Sequence, residues 1–367
     1  MRGGTSKALV FHARDLPADR ASRDKLFCHF MGSPDAYGRQ LNGMGGGLSS
    51  LSKIVIVEPS ARPDIDIDYT FVQIAVDEAV ADYSSMCGNM SASVGPFAVD
   101  EGLVKIADTN DQASVSIYNT NTDKQFTAQF PVHNGKAVEA GDFVIPGITG
   151  SGARIRLDYK EPGGAATGAL LPAGEVISTL HTDSGESFTV SLVDSSNPVA
   201  FVNAADLGKT ATELPQDLDT DEVFMQRMEG IRCAASVAMG LSATTETSSK
   251  GAPKIAIVAA PSSFTALDNR SYTADDFSIA VRIVSMGNVH RAITLTGAMC
   301  VAAAVKISGS IPHQFARAGE TTTIGNPSGL LPVEASVTSD GGFHVQSTTT
   351  YRTQRRLMEG MLPLPDD

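Results

Sequence analysis

Two stretches of this chain return later in it in altered form. Ser52-Lys-Ile-Val-Ile-Val-Glu-Pro59 resembles Pro253-Lys-Ile-Ala-Ile-Val-Ala-Ala260, and Cys87-Gly-Asn-Met-Ser-Ala-Ser-Val94 resembles Thr296-Gly-Ala-Met-Cys-Val-Ala-Ala303. Lys53 and Lys254 are 201 positions apart and Cys87 and Thr296 are 209 apart, so the two offsets agree to within a short insertion. Such a repeat commits the chain to two related units of one design. In each copy a β-branched apolar run reads as a strand. The run of Ala, Ser, Gly and Met after it suits a helix buried in a sheet or barrel, where bulky side chains do not fit. The expected fold is α+β, with two pseudo-symmetric domains, each a barrel-like, mainly antiparallel sheet around a central helix. The helix N-termini are expected to point toward a shared cleft.

The rest of the chain fits that plan. Ala8–Phe11 reads as a short strand. Asp19 is the expected N-cap of an amphipathic helix from Arg20 to Met31, with Leu26, Phe27 and Phe30 on or near one face and Gly32 as its stop. Cys28 reads as packing and His29 as surface. Ile65–Tyr69 and Phe71–Val76 read as strand, and the first central helix runs from about Met90 to Glu101 with Pro96 inside it. Residues 104–200 are short β-like runs between Gly, Asp and Asn turns. Asn197–Val202 is a strand, and Thr220-Asp-Glu caps a helix to about Met239. The expected domains are 1–187, to which residues 350–367 return as a strand, and 188–349.

Composition narrows the function. With 28 Lys and Arg against 41 Asp and Glu, the net charge is −13 and no basic block exists for nucleic acid. An anionic substrate must then be held by a local site against the overall field. The four cysteines, Cys28, Cys87, Cys233 and Cys300, include no CxxC pair, which excludes a zinc ribbon or thioredoxin motif. Their spacing suits reduced thiols and a cytoplasmic protein. No apolar signal region and no uncharged run of about 18 residues is present, so neither a signal peptide nor a membrane span is expected. His12, His29, His133, His181, His313 and His344 lack metal-ligand spacing, and no metal or cofactor is expected.

The chemistry centres on two residues. The Gly43–Gly47 loop is rich enough in glycine to bring backbone N–H groups near a ligand. It meets neither nucleotide pattern: Leu48 stands where the dinucleotide motif needs glycine, and Lys53 follows Ser52 rather than Gly. Lys53 sits where that loop enters a buried strand, so desolvation would favour the neutral amine, a competent base. Cys87 sits at the mouth of a helix, where unpaired N–H groups and the helix dipole favour a thiolate and seat a carboxylate. A lone lysine before a strand is more often solvated, and a lone cysteine in a small-residue helix is more often packing. The repeat sharpens the functional reading, because it singles out two helix ends. At the second end stands Thr296, with Cys300 one turn inside, so a symmetric two-thiol racemase is disfavoured and an asymmetric proton shuttle favoured. His290 and Arg291, just ahead of the second helix, are the cationic contacts expected for a substrate carboxylate.

These motifs together resemble a known family. Met1-Arg-Gly-Gly-Thr-Ser-Lys7, Asn42–Lys53, Cys87–Phe97, Gly287–Ala292 with Thr296-Gly-Ala298, and Arg355–Met358 resemble the 2-methylaconitate cis-trans isomerase (PrpF) family almost from end to end. The resemblance implies the two-domain fold of diaminopimelate epimerase, with Lys53 and Cys87 as the catalytic pair. It implies substrate contacts from Ser6, Ser49, Ser50, Ser85, Gly88, Asn89 and Met90, with His290, Arg291, Thr296 and Gly297 from the second copy. It implies a cofactor-independent isomerase that moves a double bond or its geometry in small unsaturated di- or tricarboxylates by allylic proton abstraction. The family also includes methylitaconate Δ-isomerases, aconitate Δ-isomerases and 4-oxalomesaconate tautomerases. An amino-acid epimerase or racemase, or a non-catalytic carboxylate-binding protein, is the rival reading. The expected partners are the small anionic substrate and a second copy in a homodimer, with no nucleic acid and no membrane. Members usually carry a strand before the Met1–Lys7 segment; either that strand lies outside this sequence or it is missing, which would weaken one sheet edge. Ala8 also stands where the family usually has glycine.

Overall fold

The repeated stretches fold into the same elements twice. A computed structural model describes residues 1–364 apart from Ser85 and Asp108. In the first copy Leu9–His12 runs parallel to Lys53–Pro59, which is antiparallel to Ile67–Ile74. Ile67–Ile74 is parallel to Gln112–Asn119, and Lys124–His133 and Ile155–Lys160 follow antiparallel. In the second copy Pro198–Asn203 runs parallel to Lys254–Ala259, which is antiparallel to Ile279–Ser285. Ile279–Ser285 is parallel to Thr321–Asn326, and Gly329–Thr338 and His344–Arg352 follow antiparallel. Parallel neighbours need a crossover connection, and each is bridged by a helix. Arg20–Met31 and Glu222–Ala238 bridge the first parallel pair of each copy, and Ser91–Asp100 and Leu295–Lys306 the second. The α+β plan with an internal repeat is therefore the observed one.

The chain divides into Met1–Tyr159 with the residues from Tyr351 onward, and Lys160–Thr350. This division falls ahead of residue 187. Ser178–His181 pairs antiparallel with Ser187–Asp194, so that hairpin stays whole in the second unit. Its short first strand, Ser-Thr-Leu-His, carries little periodic signal. In the first unit Arg2–Gly3 lies between Ser6–Lys7 and Gln354–Arg355, both antiparallel to it.

Small residues let the central helices lie against their sheets. In Ser91–Asp100 every residue from Ser91 to Val99 is buried. A Cβ on Gly95 would stand 2.8 Å from the Phe130 ring and 3.0 Å from the Ala128 methyl. In Leu295–Lys306 burial runs from Gly297 to Val305. The outer helix Arg20–Met31 starts and stops on the expected residues. The Asp19 carboxylate accepts the Ser22 N–H, and Gly32 closes the helix at φ 78°, a left-handed value that glycine adopts without strain.

The Gly43–Gly47 loop differs from expectation, because its N–H groups serve the protein. Met44 and Gly45 donate to the Phe30 and Met31 carbonyls, at 2.8 and 3.2 Å, capping the helix C-terminus. Gly43 donates to the Gln40 carbonyl and Gly47 to Gln40 Oε1. A Cβ on Gly43 would lie 2.2 Å from the Gly32 nitrogen and 2.3 Å from the Met31 carbonyl carbon. Those are backbone atoms and cannot swing aside. Gly43→Ala is expected to destabilise the protein by about 1–3 kcal/mol, as overpacking does. Thermal or urea unfolding checks this, and an unchanged midpoint refutes it.

Candidate active site

Side chains alternate across a strand, so register decides which residues share a face. Lys53 lies opposite Gln73, Val55 opposite Phe71 and Val57 opposite Tyr69. One face therefore carries Lys53, Gln73, Phe71 and Tyr69 in order. Lys53 is 8% exposed, and its Nζ donates to Gln73 Oε1 at 2.5 Å and stands 5.0 Å from the centre of the Phe71 ring. Gln73 is itself fixed, since its Nε2 donates to the Ser49 and Ser52 carbonyls at 3.0 and 2.8 Å. That leaves its oxygen for the amine. The partner of Lys53 is thus a neutral amide. Burial lowers the Lys53 pKa from its ordinary value, and the Cys87 thiolate partly opposes this.

Cys87 is anchored at the other end of the same face. Its carbonyl accepts the Ser91 N–H at 3.0 Å, the Ser91 hydroxyl at 3.1 Å and the Tyr69 hydroxyl at 3.4 Å. Its side of the chain then turns through Gly88, Asn89 and Met90 into the Ser91–Asp100 helix. The two glycines near the N-terminus pack against that turn. A Cβ on Gly3 would sit 2.7 Å from the Asn89 carbonyl oxygen, and one on Gly4 2.4 Å from Asn89 Oδ1. Burial pushes the Tyr69 hydroxyl well above its ordinary pKa, with the Cys87 thiolate adding to the effect. Burial likewise pushes Tyr159 to about 12. Both phenols stay protonated at neutral pH.

The first unit thus brings together most of the expected residues. Ser49 and Ser50 form the Ser49–Leu51 turn that delivers Lys53. Ser6 is buried in the short strand before Ala8. Asn89 Nδ2 donates to Thr5 Oγ1 at 3.0 Å. Ser85 lies outside the described residues. Three groups here were not anticipated: Gln73, Tyr69 and Arg352, whose Nε donates to Asn89 Oδ1 at 3.1 Å. Gln73 did leave a signal, as an amide among Phe71, Val72 and Ile74 on a buried strand.

His290, Arg291, Thr296 and Gly297 belong to the second unit. His290 is not the cation expected. Burial lowers its pKa and Lys254 lowers it further, so the neutral ring is favoured, with Nδ1 accepting the Ala292 N–H at 3.2 Å. Arg291 is exposed. The helix cap is Thr294 rather than Thr296, since Thr294 Oγ1 accepts the Gly297 N–H at 3.2 Å. Threonine at N-cap satisfies a helix donor that one at the second turn position cannot. Gly297 is required there, as a Cβ would lie 2.6 Å from that hydroxyl. Cys300 is fully buried, its thiol facing the Val193 carbonyl and its pKa raised by desolvation. Lys254, the counterpart of Lys53, also has its pKa lowered by burial.

A family model described as PrpF protein matches residues 1–365. The chain belongs to the PrpF family. Among its curated relatives, the 3-methylitaconate isomerase of Eubacterium barkeri is 39% identical over 98% of this chain and 94% of its own length. The 2-methyl-aconitate isomerase of Cupriavidus necator is 36% identical, covering 100% of this chain and 96% of the relative. The (4E)-oxalomesaconate Delta-isomerase of Novosphingobium sp. (strain KA1) is 36% identical over 99% and 95%. The crystal structure of methylitaconate-delta-isomerase matches with a TM-score of 0.90 at 38% identity, covering 98% of this chain and 92% of that one. With relatives and a solved neighbour all named isomerases, this PrpF chain is an isomerase. Among the described residues no helix is long and apolar enough to cross a membrane.

Proposed function

We propose that this PrpF-family chain shifts a double bond, or its geometry, in a small unsaturated di- or tricarboxylate of the 2-methylaconitate type. The observation that carries this reading is a buried amine bonded to a neutral amide, with Cys87 in the turn that leads into the Ser91–Asp100 helix. Lys53, as the neutral amine, takes an allylic proton. The C–H electron pair enters a conjugated dienolate, whose charge is met by the N–H groups at the helix start. The Cys87 thiol gives a proton at the far carbon, and the resulting thiolate recovers one from the Lys53 ammonium. Asn89, Gly88, Met90, Ser6, Ser49 and Ser50 are the proposed substrate contacts of this unit. The scheme uses no cofactor. With its thiols free, we place the enzyme in the cytoplasm, working as a homodimer.

The test is a panel of cis- and trans-aconitate, 2-methylaconitate, 3-methylitaconate and 4-oxalomesaconate, followed by ultraviolet absorbance and by proton NMR in deuterated water. Alkene movement with deuterium uptake supports the reading and names the substrate. Thermal stabilisation by these acids without spectral change makes the chain a carboxylate binder instead. Exchange at the α-carbon of amino acids makes it an epimerase.

A further inference from the structure

Gln73 is bonded so that its oxygen is left for Lys53. Its Nε2 donates to the Ser49 carbonyl at 3.0 Å and to the Ser52 carbonyl at 2.8 Å. A carbonyl only accepts, so the amide cannot turn its oxygen that way, and Oε1 stays on the amine at 2.5 Å. Both carbonyls belong to the segment that delivers Lys53, the Ser49–Leu51 turn and the residue after it. The Ser52 carbonyl also accepts the Ile74 N–H at 3.0 Å. One side chain therefore ties the turn, the strand Ile67–Ile74 and the amine together. An amide oxygen accepts an N–H from the neutral amine and from the ammonium alike, so the contact persists as Lys53 takes and gives up a proton. An apolar residue at this place would leave the amine unheld. A carboxylate would hold it as the ammonium.

We propose that Gln73 is a positioning residue for Lys53, its locked amide oxygen fixing the place of the amine while offering no countercharge. The proposal rests on Lys53 being the base of the reaction above. Among the described residues, the titratable group acting on Lys53 is Cys87. On Ile67–Ile74 the residues sharing its face, Gln73 and Phe71, are uncharged. Asp82 lies opposite Gln73 on Ala81–Asp82, exposed and bonded to Ser84. On the other flank His12 lies beside Val57, toward the far end of Lys53–Pro59.

Gln73→Leu, Gln73→Asn and Gln73→Glu test it, in turnover against pH and in the nitrogen–proton NMR signal of the Lys53 ammonium, assigned by its absence in Lys53→Met. Leucine removes the acceptor and asparagine withdraws it by one carbon. Each is expected to lower kcat about 10²-fold at every pH, the cost of about 1 Å of misplacement, with KM little changed. Glutamate keeps an oxygen at the amine and adds a charge. Its turnover is expected to fall at pH 7 and recover as the pH rises, the acid limb moving up by about 1–3 pH units. A side chain that only braced the turn would lower the melting temperature without separating leucine from glutamate in this way. The ammonium signal, sharp in the wild type because a bonded proton exchanges slowly, is expected to be lost in Gln73→Leu and Gln73→Asn. It needs no turnover, so it can fail separately from the isomerase reading. If leucine prevents folding, asparagine gives the same answer. Wild-type kcat or a retained ammonium signal in a folded Gln73→Leu or Gln73→Asn, or an unmoved acid limb in Gln73→Glu, overturns the proposal. Loss of the signal in variants of a protein inactive on every acid keeps it and sinks the isomerase reading.

Discussion

Lys53→Met is expected to lower turnover by about 10²–10⁴-fold, the usual contribution of a positioned general base, without lowering the melting temperature. Methionine keeps the length of the side chain over Phe71 and removes the amine. The stability half of the prediction follows from linkage. Burial lowers the folded-state pKa of Lys53 below its unfolded value, so between those two values the unfolded chain binds more protons. Stability therefore rises with pH through that window, and below it the full cost of a buried ammonium is present. Methionine removes that cost, so the variant gains most on the acid side. The same shift sets the wild-type profile. The rate rises with the fraction of neutral amine, and its acid limb lies at lower pH than an unperturbed lysine would give. Turnover within tenfold of wild type, or a fall in melting temperature, would show Lys53 to be a packing residue.

The repeat made the fold legible, because strand and helix periods survive in both copies even where identities drift. Asp19 and Gly32 were legible as caps, since capping chemistry is local. Lys53 and Cys87 stood out as candidates for a similar reason: Lys53 opens a strand, Cys87 precedes the turn into a helix, and the repeat marks both places. Long-range pairing was not. Arg352 meets Asn89 across 263 residues of chain, and nothing near Thr349–Tyr351 hints at it. Gln73 reaches Lys53 only through strand register. Gly43–Gly47 misled for a physical reason. Glycine marks close approach of backbone, and sequence does not say whether the approaching group is a ligand or, as here, the end of a helix. Thr296 does stand in the first turn of its helix, but it is not the cap. Aligning the repeats matched it to Cys87, while the hydrogen bond to Gly297 belongs to Thr294.

Cys87→Ser separates an acid from an anchor. The carbonyl of residue 87 keeps its three donors in this variant, because Ser91 and Tyr69 bind the backbone and not the side chain. The helix start is then unchanged, and the substitution isolates the chemistry of the side chain. A hydroxyl is a far weaker acid than a thiol, so turnover is expected to fall about 10²–10³-fold, within the range of general acid catalysis. Substrate binding, read as KM, should change little, since a group that acts only on the proton contributes mainly to the transition state. Deuterium uptake sharpens the test. With two groups, the proton taken by Lys53 and the proton given by Cys87 differ, so product formed in deuterated water carries solvent label from the first turnover. With Lys53 alone, the abstracted proton becomes one of three on the ammonium, so part of it returns to the same molecule and a fraction of the product is unlabelled. Cys87→Ser with a near-normal rate and partly unlabelled product would leave Lys53 as a single shuttling base and reduce Cys87 to packing.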